Sequence, residues 1–357
     1  MILTYRLKHH MDFNQELSKA RKIAEYAIKY RTFSSKDVKH IGLKSMIANQ
    51  ILRKFGNQRK ARRVKSVKLI IPNQGIKLSK DSTTIEIPCL KCLFQYRFPS
   101  FEKVNQIEIG KEYVYVTVTV KEQEPIKTEK YLGVDLNATG HVAVVSDPDT
   151  GKVWKLGKSI EHIHKKYKNM RSRLQSQRKY KKIKQVKNRE SRIIRNLNHH
   201  ISKKIADIAA KAKSGIRLER LTNIRNNKKN KYKRNLQNTL HSWSSYQLQT
   251  QIGYKTRLLG IPVEYIDPHY TSQTCSKCRH IGQREGKNFK CLDCGHVDHA
   301  DVNASFNIGR TIPPHHILGQ FDIDRDVSKG SSDTPEEATL INDKDLETMK
   351  PLEPPRF

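Results

Sequence analysis

Four cysteines in the last third of the chain have the spacing of a metal site. Cys275 and Cys278 form one Cys-x-x-Cys pair, Cys291 and Cys294 form a second, and twelve residues separate the pairs. Each pair fits a tight turn that directs two thiolates at one point, and four thiolates complete a closed tetrahedral zinc site. We therefore predict a structural Zn²⁺ bound by these four cysteines. The alternative is four reduced cysteines without metal.

Three carboxylates point to a second kind of chemistry. Asp135 lies at the end of the apolar segment YLGVDL, Glu219 lies near the end of GIRLERL, and Asp301 opens a short helical segment after the second cysteine pair. Singly, they can be explained as a turn residue, a salt-bridge partner and a helix N-cap. Together they can bind two divalent cations that activate water in phosphodiester hydrolysis, and oxygen ligands suit Mg²⁺. We predict a catalytic magnesium site formed by Asp135, Glu219 and Asp301.

A further Cys-x-x-Cys pair has no partner pair. Cys89 and Cys92 lie between the segments IEIP and LFQYRF, which read as strands. A role in the core is the preferred interpretation of this pair, and a metal or redox role is the alternative.

The charge balance indicates a polyanionic partner. The 357 residues include 69 Lys and Arg against 35 Asp and Glu, which gives a formal net charge of +34. A compact fold with this charge repels itself unless a polyanion neutralises it, and nucleic acid is the polyanion that most often does so. Between residues 161 and 210 there are 16 basic and 3 acidic residues. A merely solvated basic surface is the alternative.

Nothing in the sequence predicts export or membrane insertion. The N-terminal segment MILTYRLKHHMDF lacks the apolar core of a signal peptide, and no apolar run approaches the roughly 20 residues of a membrane span. Six cysteines are too few for a secreted disulfide scaffold. We expect a soluble protein of the cytoplasm.

The first part of the chain reads as strands with two helices. A strand is predicted within residues 1–10, and helices are predicted from Asp12 and from about Ser34 to Gly56. From 66 to 121 the pattern is β, and in YVYVTVTV valine alternates with tyrosine or threonine, which is typical of a strand with one buried face. We predict a domain over 1–128 that is a small β-barrel carrying the helices as an insert or appendage, and a β-sandwich is the alternative.

A second domain is predicted over 129–310. KYLGVDL, HVAVVSD and KVWKLG read as three antiparallel strands, and a long helical stretch or two helices follow over 159–212. GIRLERL and IPVEYIDP are two more strands. A helix is predicted over 241–259, with Trp243 and Tyr246 in the core of the protein. The segment 311–357 is acidic and is predicted to be disordered.

Several ordered segments resemble the TnpB (OrfB) proteins of insertion sequences, which are related to the compact type V CRISPR nucleases. They are YLGVDLNATGHVAVV, LNHHISKKIADIA, IRLERL, YIDPHYTSQTCSKC and CLDCGHVDHADVNASFNI. The resemblance implies an α/β, RNase H-like (RuvC) mixed-sheet nuclease domain with a zinc ribbon inserted at 271–297. It also implies that Asp135, Glu219 and Asp301 are the catalytic, metal-binding carboxylates. Asn137 departs from the glycine of many relatives, which costs no metal ligand.

The resemblance further implies an RNA-guided DNA endonuclease of a transposable element. Its partners would be a guide RNA and target DNA, with one protein monomer on one RNA, in the nucleoid-associated cytoplasm of a prokaryote. The N-terminal domain would read a short motif beside the target. Two alternatives remain: a regulator that binds DNA without cutting it, and a transposase that acts without RNA.

Overall fold

The computed structural model describes residues 1–58, 61–79, 83–97, 99–221 and 244–310. Within these residues the chain forms two compact units, one over 1–121 and one over 122–310. Trp243 and the acidic segment 311–357 lie outside the described residues. No helix in the described part of the chain combines the length and the apolar character that a membrane span requires.

The first unit is organised around a four-stranded antiparallel sheet. Its strands, in spatial order, are β1 (Ile2–Lys8), β7 (Tyr113–Thr119), β6 (Lys103–Ile109) and β2 (Leu69–Pro72). The valines of β7 are buried and its tyrosines and threonines are half-buried, as the alternation predicts. A separate three-stranded sheet consists of β3 (Lys77–Leu78), β4 (Thr84–Ile87) and β5 (Cys92–Gln95). No strand pairing among the described residues closes these sheets into a barrel.

Two helices accompany these sheets. Helix α1 (Asn14–Tyr30) starts two residues after Asp12, whose carboxylate accepts a hydrogen bond from the Asn14 amide. Helix α2 (Ser45–Gly56) begins later than Ser34, so the predicted start was wrong. The intervening segment forms a short 3₁₀ turn that ends at Gly42. Its φ of 74° is incompatible with a continuous helix.

The second unit contains a mixed five-stranded sheet, which confirms the predicted α/β class. The spatial order is β10 (Val153–Leu156), β9 (Ala143–Ser146), β8 (Tyr131–Leu136), β11 (Gly215–Glu219) and β12 (Val263–Ile266). Strands β8, β9 and β10 are antiparallel neighbours, because short turns connect them. Strand β11 is parallel to both β8 and β12.

Three helices cover this sheet, and two of them account for the long basic stretch. They are α3 (Lys158–Ser176), α4 (Tyr180–Ala212) and α5 (Ser245–Leu258). The isoleucine face of α4, which consists of Ile194, Ile201, Ile205 and Ile208, belongs to the core. Tyr246 is 79% exposed, so its predicted core position was wrong. The buried face of α5 passes through Leu248 and Ile252, and Tyr246 lies almost opposite Leu248 around the helix.

The cysteine-rich segment forms a small antiparallel sheet that leads into the last helix. Its strands are β13 (Gln283–Glu285), β14 (Asn288–Lys290) and β15 (Val297–His299), and helix α6 (Ala300–Arg310) follows without a loop. Helix α6 packs on β8 at a glycine contact. A Cβ atom added to Gly133 would lie 1.8 Å from the Ser305 carbonyl oxygen and 2.4 Å from the Gly309 nitrogen.

We expect Gly133→Ala to be strongly destabilising, because backbone atoms of α6 occupy the space that the new methyl group needs. The free energy of unfolding should fall by about 3 kcal/mol, at the upper end of overpacking effects. Urea denaturation measures it. The matched control is Gly253→Ala, since a Cβ there meets only the Tyr265 hydroxyl at 3.8 Å. Equal stability of the two variants would contradict the close packing of α6 on β8.

Candidate functional site

The three predicted carboxylates lie at one end of the mixed sheet. Val134 and Leu218 are paired across the parallel strands β8 and β11. The residues that follow them, Asp135 and Glu219, therefore lie at the same, C-terminal end of the two strands. Asp301 is the second residue of α6, which packs on β8. The structure thus brings together three residues that are distant in the sequence.

Burial and mutual repulsion dominate the electrostatics of this cluster. Asp135 and Asp301 are 7% and 2% exposed. Burial, with the nearby Glu219 and Asp301 carboxylates, raises the pKa of Asp135 to about 8. Burial also raises the pKa of Glu219, against a hydrogen bond from Thr271 that lowers it. The two buried carboxylates and the half-buried Glu219 repel one another without a compensating positive charge, and carboxylate oxygens are ligands that hard divalent cations prefer. In the described residues the ligand atoms of the three do not all lie within 4.8 Å of one another, so this cluster is more open than the cysteine site.

Lys287 supplies part of that charge, and sequence reasoning missed it. Its Nζ lies 2.8 and 2.6 Å from the two carboxylate oxygens of Asp301, and 3.2 Å from Oδ1 of Asn137. Asn137 in turn donates from Nδ2 to Oδ2 of Asp135 at 2.8 Å. Asn137, which differs from the glycine of many relatives, therefore connects Asp135 with Lys287. No spacing rule predicts this, because Lys287 reaches the cluster from the turn between β13 and β14.

Glu219 is held by two other groups. The Thr271 hydroxyl donates to Oε1 of Glu219. Gln249 of α5 donates from Nε2 to the Glu219 carbonyl oxygen at 2.8 Å. The side chain and the main chain of Glu219 are thus fixed by different segments, which limits the positions of its carboxylate.

The four cysteines of the double pair converge on one point. The Sγ atoms of Cys275 and Cys294 lie 3.6 Å apart, those of Cys278 and Cys291 lie 3.4 Å apart, and all four lie within 4.8 Å of one another. A tetrahedral zinc ion with Zn–S bonds of about 2.3 Å separates its sulfurs by about 3.8 Å. The sulfur positions therefore fit Zn²⁺, and no histidine is needed to complete the set.

Helix α6 connects the cysteine cluster with the carboxylates. Asn303 donates to the Thr274 carbonyl oxygen at 2.7 Å and accepts from the Ser276 amide at 2.8 Å. Asn307, one turn later, donates to the carbonyl oxygens of Thr271 and Thr274 at 2.8 and 2.6 Å. Both asparagines are buried. The helix that carries Asp301 is therefore bonded to the segment that precedes the first cysteine pair and contains Thr271.

The isolated pair Cys89 and Cys92 lies outside both clusters. Cys92 is buried at the start of β5, and both thiols are free. Burial, with the neighbouring Cys89, raises the pKa of Cys92 to about 12. A thiol with this pKa stays protonated, which agrees with a role in packing.

Comparisons with known proteins place this architecture in a family. The family model described as Cas12f1-like, TNB domain matches residues 246–308. A TnpB-like protein of Methanocaldococcus jannaschii is 30% identical over 219 residues, which cover 58% of this chain and 77% of that protein. The chain belongs to the TnpB-like family.

Two further similarities extend the comparison. This TnpB-like chain is 31% identical over 233 residues to a CRISPR-associated endodeoxyribonuclease Cas12f1 of Sulfoacidibacillus thermotolerans. That alignment covers 60% of the chain but only 53% of the relative, so the chain matches about half of the larger protein. Among solved structures, a cryo-EM structure of a Cas12f1–sgRNA–target DNA complex matches with a TM-score of 0.56 at 16% identity. This match covers 83% of the chain and 82% of that protein, and it shows a shared fold.

Proposed function

We propose that this TnpB-like chain is an RNA-guided, Mg²⁺-dependent DNA endonuclease of a transposable element. The observation that carries the proposal is that Asp135, Glu219 and Asp301 lie within electrostatic reach of one another at the C-terminal ends of β8 and β11. The relative from Sulfoacidibacillus thermotolerans, an endodeoxyribonuclease, supports the reaction class. The fold is shared with a protein solved in complex with guide RNA and target DNA, which supports guide RNA and target DNA as partners.

In this proposal the three carboxylates are the magnesium ligands. Bound divalent cations supply an activated water and a stabilised leaving oxygen in phosphodiester hydrolysis. The chain itself orients the ligands. Asn137 holds one oxygen of Asp135, and Thr271 holds one oxygen of Glu219. Lys287 carries positive charge beside Asp301, where a DNA phosphate would also be attracted.

The rest of the domain scheme belongs to the same proposal. Residues 129–310 form a RuvC-like nuclease domain with a zinc ribbon at 271–297, in which Cys275, Cys278, Cys291 and Cys294 bind structural Zn²⁺. The N-terminal region over 1–128, with its two antiparallel sheets and helices α1 and α2, reads a short motif beside the target. The basic helices α3 and α4 contact the backbone of an RNA–DNA duplex.

The test is to express the protein together with the DNA that flanks its gene, and to sequence the RNA that copurifies. We expect a discrete RNA that ends in variable flanking sequence. The purified complex should then cut matching DNA only when Mg²⁺ is present. A folded, zinc-loaded protein without enriched RNA would contradict guided cleavage and favour DNA binding by the protein alone.

Replacement of Lys287 by methionine should destabilise the Mg²⁺-free protein, because Asp301 then faces Asp135 and Glu219 without a compensating charge. Loss of one partner from a largely buried pair costs about 2 kcal/mol when the lysine is partly solvated. Mg²⁺ should restore more of the melting temperature in the variant than in the original protein. Differential scanning fluorimetry with and without Mg²⁺ measures both effects.

Lys290→Met is the matched control, since Lys290 is exposed on the same small sheet and belongs to no described contact of the carboxylates. If both variants melted alike at every Mg²⁺ concentration, Lys287 would have no electrostatic role in the cluster.

A further inference from the structure

A basic cavity lies at the N-terminal ends of β8 and β11, the strands whose other ends carry Asp135 and Glu219. A cavity of about 950 Å³ opens where β8 and β11 begin, and Tyr131 and Lys213 are among its lining residues. The carboxylates lie where these strands end. Helix α6 runs from Asp301 to Arg310 at the cavity, and nine helical steps span about 13 Å. The cavity is therefore distinct from the carboxylate cluster.

Cations outnumber anions in its wall. Five basic side chains line the cavity, namely Lys130, Lys213, Arg217, Arg279 and Arg310, against the two acidic side chains of Glu129 and Asp149. An excess of positive charge in a concave surface focuses the potential and attracts anions.

Three of the five cations already have protein partners. Lys130 lies 3.5 Å from Asp149. Arg217 donates to Glu264 at 2.8 Å and to the Gly309 carbonyl oxygen at 2.7 Å, and it stacks on the Tyr131 ring at 4.0 Å. Arg310 donates to the Ser276 carbonyl oxygen at 2.6 Å. These three side chains are therefore already engaged within the protein.

Lys213 and Arg279 are different. Within the described ranges neither side chain has a hydrogen bond or an ion pair to the protein. Both lie at turns with a left-handed backbone, with φ of 50° and 67°, so each projects from a defined point. Burial, with the neighbouring Arg279, lowers the pKa of Arg310 against an opposing effect of Asp149, so the guanidinium groups of Arg279 and Arg310 lie within electrostatic reach of each other.

We propose that this cavity binds the phosphates of a nucleic-acid backbone, with Lys213 and Arg279 as the contacting residues. Arg217 covers one face of the Tyr131 ring, and no other aromatic side chain is among the described residues that line the cavity, so the two unpaired cations face phosphates rather than stacked bases. The recognition is therefore of the backbone, which is independent of base sequence. RNA and DNA share this chemistry, and the phosphates bound here are separated from Asp301 by the length of α6.

The test compares two double variants of the full-length protein. In K213Q/R279Q both unpaired cations are neutralised. In K211Q/K277Q two exposed cations two residues away from them, which do not line the cavity, are neutralised instead. Binding is measured by fluorescence anisotropy without Mg²⁺, with a single-stranded RNA and a DNA of the same sequence, at several salt concentrations. Zinc content is compared first, because Arg279 follows Cys278.

We expect K213Q/R279Q to bind about 10-fold more weakly than the control variant at 0.1 M salt, with at least one of the two polymers. The slope of log affinity against log salt should become shallower by about 1.4, because two phosphate contacts are lost. The polymer whose slope changes is the one bound at the cavity. Equal affinity and equal slope in both variants would overturn the proposal.

A second measurement uses the unmodified protein. Acetylation of lysines, read by mass spectrometry, should label Lys213 and Lys211 in the free protein, and nucleic acid should protect Lys213 more than Lys211. Protection of Lys213 before nucleic acid is added would overturn the proposal, since another part of the chain would then fill the cavity. Both measurements are made without cutting, so a failure of the nuclease proposal leaves them readable.

Discussion

Asp135→Asn should abolish DNA cleavage while leaving nucleic-acid binding intact. The amide keeps the size of the carboxylate but is a poor ligand for a divalent cation, so the metal-dependent stabilisation of several kcal/mol is lost. This corresponds to a decrease in the cleavage rate of at least about a thousandfold. A time course on matching DNA with Mg²⁺ measures the cleavage rate. A binding assay with the same RNA and DNA measures whether the affinity for nucleic acid is unchanged.

The same substitution should stabilise the Mg²⁺-free protein at pH 8. Burial, with the neighbouring carboxylates, raises the pKa of Asp135 to about 8 in the fold, above its ordinary value of 3.8. The folded state therefore binds a proton that the unfolded state has released between these pH values, so stability falls as the pH rises from about 4 to 8. Asparagine has no such dependence. Melting temperatures of the zinc-loaded protein and of the variant from pH 4 to 8 test whether stability falls as the pH rises and whether the substitution removes that fall.

Asp147→Asn is the matched control for both effects. Asp147 is similarly buried but accepts hydrogen bonds within its own turn, from Thr150 and from the Asp149 amide. Its variant should still cut DNA. Cleavage by Asp135→Asn at the original rate would sink the assignment of the carboxylate cluster.

Cys291→Ser should remove the zinc and disable the nuclease. Cys291 is buried, and its sulfur lies 3.4 Å from that of Cys278. Structural zinc contributes on the order of 10 kcal/mol in small domains, and we expect a loss of at least about 3 kcal/mol in the stability of this larger unit. Metal analysis should fall from one zinc per chain to none. Cleavage should fall as well, because the segment bonded to Asn303 and Asn307 carries Thr271, which holds Glu219.

Cys92→Ser controls for the change from thiol to hydroxyl. Cys92 is also buried but lies outside the described groups of metal-ligand atoms. Its variant should keep the zinc and the cleavage rate. A Cys291→Ser protein that retained one zinc and full activity would contradict the four-cysteine site.

Local patterns in the sequence were sufficient to predict whether most elements are helices or strands. The valine alternation of β7 and the isoleucine face of α4 predict their buried sides, because each depends only on the repeat of a strand or a helix. The cysteine spacing predicted the convergence of four sulfurs, because the two pairs are close to each other in the chain. Where the pattern was weak, as at the start of α2 and at Tyr246, the prediction failed.

The contacts that orient the candidate site were decided by the tertiary structure. Lys287 reaches Asp301 from the turn between β13 and β14, Thr271 reaches Glu219 across 52 residues, and Asn307 bonds to a segment more than 30 residues away. Such contacts depend on how α6 packs against β8, which no local period encodes. The sequence by itself determined which carboxylates and cysteines were available. Only the packing of distant segments determined which lysine, threonine and asparagines hold them in place.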